Sequence, residues 1–155
     1  MKRVKLLFYC SLILIGMASC KKNEDTKVTG GSMSAKVDGK DFTATLATQG
    51  TKTSGVLTIA GTGSDGQINI VIMSYSSPGT FQLGGSATNP NNSSYTTTKL
   101  PIVSYSNMVG QGTGQIVIAS EKDGYVEGTF NFTAKNPSSG ATVNVTEGKF
   151  KVKLM

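Results

Sequence analysis

The run Gly61-Thr-Gly-Ser-Asp-Gly66-Gln-Ile-Asn-Ile-Val-Ile72 passes from a glycine-rich turn straight into alternating apolar residues. Gly61, Gly63 and Gly66 match the spacing of a dinucleotide fingerprint. That fingerprint works only where a helix begins and turns its amino terminus toward the pyrophosphate. Here strand chemistry follows instead: Ile68, Ile70 and Ile72, at a period of two, would share one face. The glycines are therefore expected to form a hairpin loop. Gly110, Gly112 and Gly114 lead into Gln115-Ile-Val-Ile-Ala119 in the same way.

The alternation recurs on both sides of this run. Upstream, Met33-Ser-Ala-Lys-Val37 meets Asp38-Gly39, a hairpin signal. Asp41 to Ala47 would be the return strand, and Val56 to Ala60 the next. Downstream, Pro78-Gly79 turns into Thr80 to Leu83, and Gly84 to Ser94 reads as a long polar loop. Tyr95 to Tyr105 is a weaker strand interrupted by Pro101, which suits an edge. After the turn Glu121-Lys-Asp-Gly124, the segment Tyr125 to Ala134 sets Phe130, Phe132 and Ala134 on one face. Asn136 to Gly140 turns again, and Thr142 to Leu154 closes the chain, with Gly148 placed for a bulge. No segment after Ser32 keeps a helical period. The pattern of about eight or nine short strands predicts an all-β fold, a single antiparallel β-sandwich or small β-barrel.

Composition agrees. The chain has 155 residues, enough for one domain, with 19 glycines and only 4 prolines. Low charge and few prolines argue against wholesale disorder. There are fifteen basic and nine acidic residues. Lys2, Arg3 and Lys5 belong to the first segment, so the remainder is only weakly basic. Lys149, Lys151 and Lys153 alternate with Phe150, Val152 and Leu154. They read as a solvated strand face that also resists edge pairing. No recognition motif accompanies them, so no nucleic-acid partner is expected.

The amino terminus carries the clearest functional signal. Met1-Lys-Arg-Val-Lys5 is positive, and Leu6 to Met17 is an apolar stretch too short to span a bilayer as a helix. Met17-Ala-Ser-Cys20 follows, with small residues for a peptidase groove and a thiol to accept diacylglycerol. This order resembles the lipobox of bacterial lipoproteins. It implies a signal peptide over 1–19, a lipidated Cys20 with a flexible tether over 20–32, and the all-β domain over 33–155. Such an acyl anchor exceeds the two-signal threshold for stable membrane attachment. The polar tether, ending in Gly30-Gly31-Ser32, would reach about 20 Å as a coil. Glu24 and Asp25 behind Lys21 and Lys22 resemble the short acidic export signal of surface lipoproteins in the Bacteroidota. The expected location is the outer membrane, its outer face preferred to the periplasmic one.

A wider resemblance rests on Val37-Asp-Gly-Lys-Asp-Phe42, Pro78-Gly-Thr-Phe81, Gly128-Thr-Phe130 and Glu147-Gly-Lys-Phe150. Together these resemble small Bacteroidota lipoproteins of an uncharacterised family. The resemblance implies an all-β lipoprotein and brings no catalytic residues with it.

Catalytic chemistry finds little footing. The chain has no histidine, and its two cysteines, Cys10 and Cys20, lie in the signal and at the lipid site. A Ser-His-Asp or Cys-His nucleophile, a disulfide framework and a Cys/His zinc site are thereby excluded within the domain. No spaced aspartate series forms a calcium loop. No cofactor is expected. Asp38 with Asp41, and Glu121 with Asp123, are close in sequence but flank turns, where carboxylates cap backbone groups locally. Tyr75, Tyr95, Tyr105 and Tyr125 offer flat rings with polar tips, either as packing or as a platform on which a ligand stacks. The sequence therefore points to a membrane-anchored, non-catalytic binding or structural module of the cell envelope. Its partner would be a carbohydrate, a small apolar ligand or an envelope protein. A two-carboxylate glycan hydrolase and an accessory subunit of an envelope complex are the alternatives.

Overall fold

A computed structural model gives the fold, and it describes residues 30–155. Cys10, Cys20, Lys21, Lys22, Glu24 and Asp25 lie outside the described residues, as does most of the expected tether. Eleven strands occupy the described residues: β1 Gly31–Val37, β2 Lys40–Thr43, β3 Ala47–Thr53, β4 Val56–Thr62, β5 Gly66–Ile72 and β6 Gly79–Gly84, then β7 Asn92–Thr97, β8 Ser104–Ser106, β9 Thr113–Lys122, β10 Tyr125–Lys135 and β11 Thr142–Lys153. The fold is all-β and antiparallel, as the alternation predicts.

The strands form one sheet in the order β2-β1-β11-β10-β8-β7-β5-β4-β3, with β9 added to β10 and β6 to β9. The sheet curls into a half-barrel. The two ends of that nine-strand path, β2 and β3, are consecutive in the chain, joined only by Ala44-Thr45-Leu46. The Ala44 amide donates to the Met33 carbonyl at 2.9 Å and the Leu46 amide to the Thr62 carbonyl at 3.0 Å. Three residues thus carry the chain from the β1 side of the curl to the β4 side.

The turns follow from residue chemistry. Asp38 and Gly39 take φ of 48° and 78°, the left-handed pair that a two-residue hairpin requires. Asp123-Gly124 does the same between β9 and β10, with φ of 53° and 75°. The Asp38 carboxylate also accepts the Asn144 amide at 2.8 Å, fastening the first hairpin to β11.

The core lies inside the curl. Ile68, Ile70 and Ile72 are fully buried, as are Leu57 and Ile59 on β4, so the isoleucine face turns inward. Phe130, Phe132 and Ala134 are buried beside Phe150, Val152 and Met33. Phe130 sits between Phe132 at 6.3 Å and Phe150 at 6.2 Å, centroid to centroid. The bulge expected at Gly148 falls just before it, at Thr146-Glu147, where Glu147 takes φ of 53°: the β10–β11 register slips between Phe130 and Phe132, and the β1–β11 register between Ser34 and Lys36.

Several expectations change. Tyr95 to Tyr105 is no edge strand. It splits into β7 and β8, Pro101 falls in the link, and β7 pairs with both β5 and β8 inside the sheet. The polar stretch from Gly84 ends sooner, because Asn92 and Ser93 already belong to β7. The return strand ends at Thr43, and β3, absent from the sequence reading, follows it. β1 begins at Gly31, so Gly31 and Ser32, expected to end the tether, are strand residues. Lys149, Lys151 and Lys153 do form an exposed face. Their strand is paired on both sides, however, so they guard no edge.

Candidate functional site

One end of the half-barrel gathers the β1–β2, β4–β5, β7–β8 and β10–β11 connections. A cavity of about 630 Å³ opens there. Val37, Phe42 and Val143 give it apolar wall, and Tyr95 and Tyr105 add aromatic surface. Asp38, Lys40, Asp41 and Asp65 supply charge, with the hydroxyls of Thr97 and Ser64 beside them. The size is that of a ligand cleft, and the lining is about as polar as it is apolar.

Each wall is positioned by its strand. Tyr95 and Tyr105 face one another across β7 and β8 as register partners, ring centroids 6.3 Å apart. Tyr95 lies against Gly66, where a side-chain carbon would strike its ring. The third glycine of the fingerprint spacing therefore makes room for an aromatic ring, and a strand, not a helix, follows it. The Tyr95 hydroxyl donates to the Asp65 carbonyl at 3.2 Å. Burial, reinforced by the negative charge of Asp65, pushes the Tyr95 phenol above its ordinary range, so it stays a hydrogen-bond donor.

The rim is pinned. Lys99, on the β7–β8 connection, forms an ion pair with Asp65 on the β4–β5 connection. That contact holds the Asp65 carboxyl below its usual value. The Thr98 hydroxyl donates to the Ser64 carbonyl at 2.7 Å, joining the same two connections. Asp41 pairs with Lys36 at 3.1 Å while leaving 89% of its side chain exposed. Beyond the rim, Leu100 and Ile102 stand out into solvent, 88% and 63% exposed.

Two of the four tyrosines singled out by sequence are thus brought together, and two are not. Tyr75 and Tyr125 lie toward the other end. Tyr75 is 3% exposed. It packs on Phe81 with centroids 5.7 Å apart and donates its hydroxyl to Glu121 at 2.9 Å. Burial and Glu121 push its phenol up to about 12. Lys52 lies 5.0 Å over the Tyr75 ring and 2.8 Å from Glu121. These three residues tie β3 and the β5–β6 connection to β9, a structural role. Tyr125 lies under Lys151, whose ammonium is 5.9 Å from the ring centre. Tyr75 and Tyr125 offer no stacking surface to the cleft.

The Lys52–Glu121 contact has a pH signature. Lys52, and after it the Tyr75 hydroxyl, hold the Glu121 carboxyl below its ordinary value against a smaller opposing cost of burial. A carboxylate with a depressed folded pKa stabilises above the unfolded value, and that contribution is lost as pH falls through the folded value. Glu121→Gln is therefore expected to lower stability at pH 7 by about 1 kcal/mol, the upper range for a partly screened pair. The deficit shrinks in acid, below the ordinary glutamate range. Urea melts at neutral and acid pH check this, and an equal deficit at both would refute the ion-pair account.

Sequence reasoning singled out Tyr95 and Tyr105 for binding, read Asp38 and Asp41 as turn carboxylates, and gave no role in a site to Asp65, Lys40 or Lys99. Among the described residues no cluster of three or more His, Cys, Asp or Glu is arranged to hold a metal ion. A model of the family described as a domain of unknown function, DUF6252, matches residues 29–152. No curated protein and no solved structure matches the chain.

Proposed function

Because the chain belongs to the DUF6252 family, whose description carries no activity, we propose a function from its own residues. It is a lipid-anchored, non-catalytic module of the bacterial outer membrane that binds carbohydrate in the mouth of the half-barrel. The anchor half of this reading is supported by Met17-Ala-Ser-Cys20 behind a short apolar segment, and the Bacteroidota affinity by the motifs around Asp38, Phe81 and Phe150. The binding half rests on one observation: Tyr95 and Tyr105 share one cleft with Asp38, Asp41 and Asp65.

Sugars suit that lining. Their hydroxyls can donate to carboxylates and accept from Lys40, and their C–H faces pack on aromatic rings. A purely apolar ligand suits it less, since seating one would strip water from four charged rim groups without replacing their hydrogen bonds. Carbohydrate is accordingly preferred to the apolar ligand.

The test is a glycan panel read by thermal shift and titration calorimetry. One class of glycan is expected to raise the melting temperature. Asp41→Ala and Tyr105→Ala would each weaken its binding by about tenfold or more, equivalent to about 1.4 kcal/mol. A panel with no stabilising glycan would remove the carbohydrate reading.

The second reading, a two-carboxylate glycan hydrolase, is favoured by the aspartates lining one cleft. It is the weaker of the two on physical grounds. A general acid needs a pKa raised toward the working pH, usually by burial. Asp65 is instead held low by Lys99, and Asp41 is exposed and ion-paired. Hydrolysis would appear as release of reducing ends, abolished by Asp38→Asn or Asp41→Asn.

A further inference from the structure

The two ends of the half-barrel differ in what joins them. The segment that carries Cys20 enters the described chain at Gly30, immediately before β1. Around Gly30 lie the chain's last residues: the Lys153 amide donates to the Gly30 carbonyl at 2.6 Å. The Leu154 amide donates to the Gly124 carbonyl at 2.8 Å, and the Met155 amide to the Gly50 carbonyl at 2.9 Å. Gly30 is also pressed against the Thr48 carbonyl, where no side chain would fit. The entry point is thus fixed to β3, to β11 and, through Leu154, to the β9–β10 turn.

β1 then runs directly to the cleft. Its last residue, Val37, lines the cavity, as does Asp38 beyond it. Seven strand residues separate the entry from the far wall at Val37, a span of about 20 Å at the rise of an extended strand, while the nearer wall at Thr43 faces Ser34. The remaining strands agree. β5 and β10 each have the opposite ends at the same two poles, with Gly66 and Lys135 on the cleft side and Ile72 and Tyr125 on the entry side.

From this geometry we infer that the cleft opens away from the membrane holding Cys20, and that its occupant is a hydrophilic molecule presented from the aqueous side, not a component of that same bilayer. The inference rests on the lipid-anchor reading of Cys20. It adds the direction from which the ligand comes. The charged rim fits it, since Asp38, Lys40, Asp41 and Asp65 would otherwise lose their water against acyl chains.

The experiment uses the full chain, expressed with its own leader in a bacterium, extracted in detergent and reconstituted into phosphatidylcholine vesicles. Two variants each carry one fluorophore, through Lys122→Cys at the entry end or Leu100→Cys at the cleft rim. Both positions are exposed. Flotation reads attachment, and quenching by a spin label on the lipid headgroup reads orientation. The expected result is flotation of both variants, with severalfold stronger quenching at position 122 than at position 100. Floating protein with equal or reversed quenching would overturn the orientation while leaving the anchor standing. Protein left in the aqueous fraction would overturn the anchor, and this inference with it.

Discussion

Phe130→Ala is expected to remove about 3–5 kcal/mol of stability, the cost of deleting a buried phenylalanine and leaving a cavity. Phe130 is among the largest of the fully buried side chains. Phe130 is 2% exposed, on a strand paired to β11 on one side and β9 on the other. Its ring is flanked by Phe132 and Phe150, so the hole would lie between two rigid aromatics that cannot collapse into it. Aromatic pairs of this kind add about 0.5–1.5 kcal/mol beyond area burial. Urea melts of the variant should show a lower midpoint with an unchanged slope. A loss under about 1 kcal/mol would mean that the site relaxes, contrary to the packing described.

Gly148→Ala is expected to cost about 1–3 kcal/mol, as overpacking does in a rigid core. A carbon at that position would stand 2.5 Å from both the Phe130 ring and the Phe130 carbonyl oxygen. β11 cannot retreat, being hydrogen-bonded to β1 and β10. The two variants should therefore be coupled. In a Phe130→Ala background the ring is gone and only the carbonyl contact remains, so the added methyl costs less. A double-mutant cycle reads this directly as a departure from additivity. Strict additivity would show that the backbone contact alone sets the penalty.

These two positions also show how far sequence can carry the fold. Phe130, Phe132 and Ala134 at a period of two, and Ile68, Ile70 and Ile72 likewise, announce inward faces because apolar side chains alternate with polar ones. Asp38-Gly39 and Asp123-Gly124 announce hairpins because only certain residues accept a left-handed backbone. β3 is silent for the complementary reason. Its buried positions are Thr48 and Gly50, and Gly50 is buried by its neighbours, Leu154 and Val152, not by a side chain of its own. β7 hides similarly. Ser93 is fully buried, and its amide is satisfied by the Asn107 side chain at 2.6 Å, so a core position looks like a loop residue. Polar burial of this sort is settled by partners far away in sequence.

The cleft divides along the same line. Tyr95 and Tyr105 are visible as residues suited to binding, and their meeting follows from a short hairpin. Asp65 and Lys40 come from separate hairpins, and Lys99 reaches Asp65 from a third connection. Nothing local in Ser64-Asp65-Gly66 tells that an ion pair over a cavity waits there. Tyr75 and Tyr125 have the same chemistry as the other two and different fates, because β5 and β10 carry them to the opposite pole.

The pairing of β1 with β11 has a kinetic consequence. Beside its hairpin partner β2, the first strand of the described chain pairs with the last, more than a hundred residues on, since Gly31 faces Val152. Such distant contacts incur loop-closure entropy before any stabilising contact forms, and chains dominated by them fold in milliseconds to seconds. A ribosome-bound chain lacking β11 leaves one edge of β1 unpaired and the Gly30 carbonyl without the Lys153 amide. The domain therefore closes only once its final strand is free, and until that moment one edge of β1 stays open.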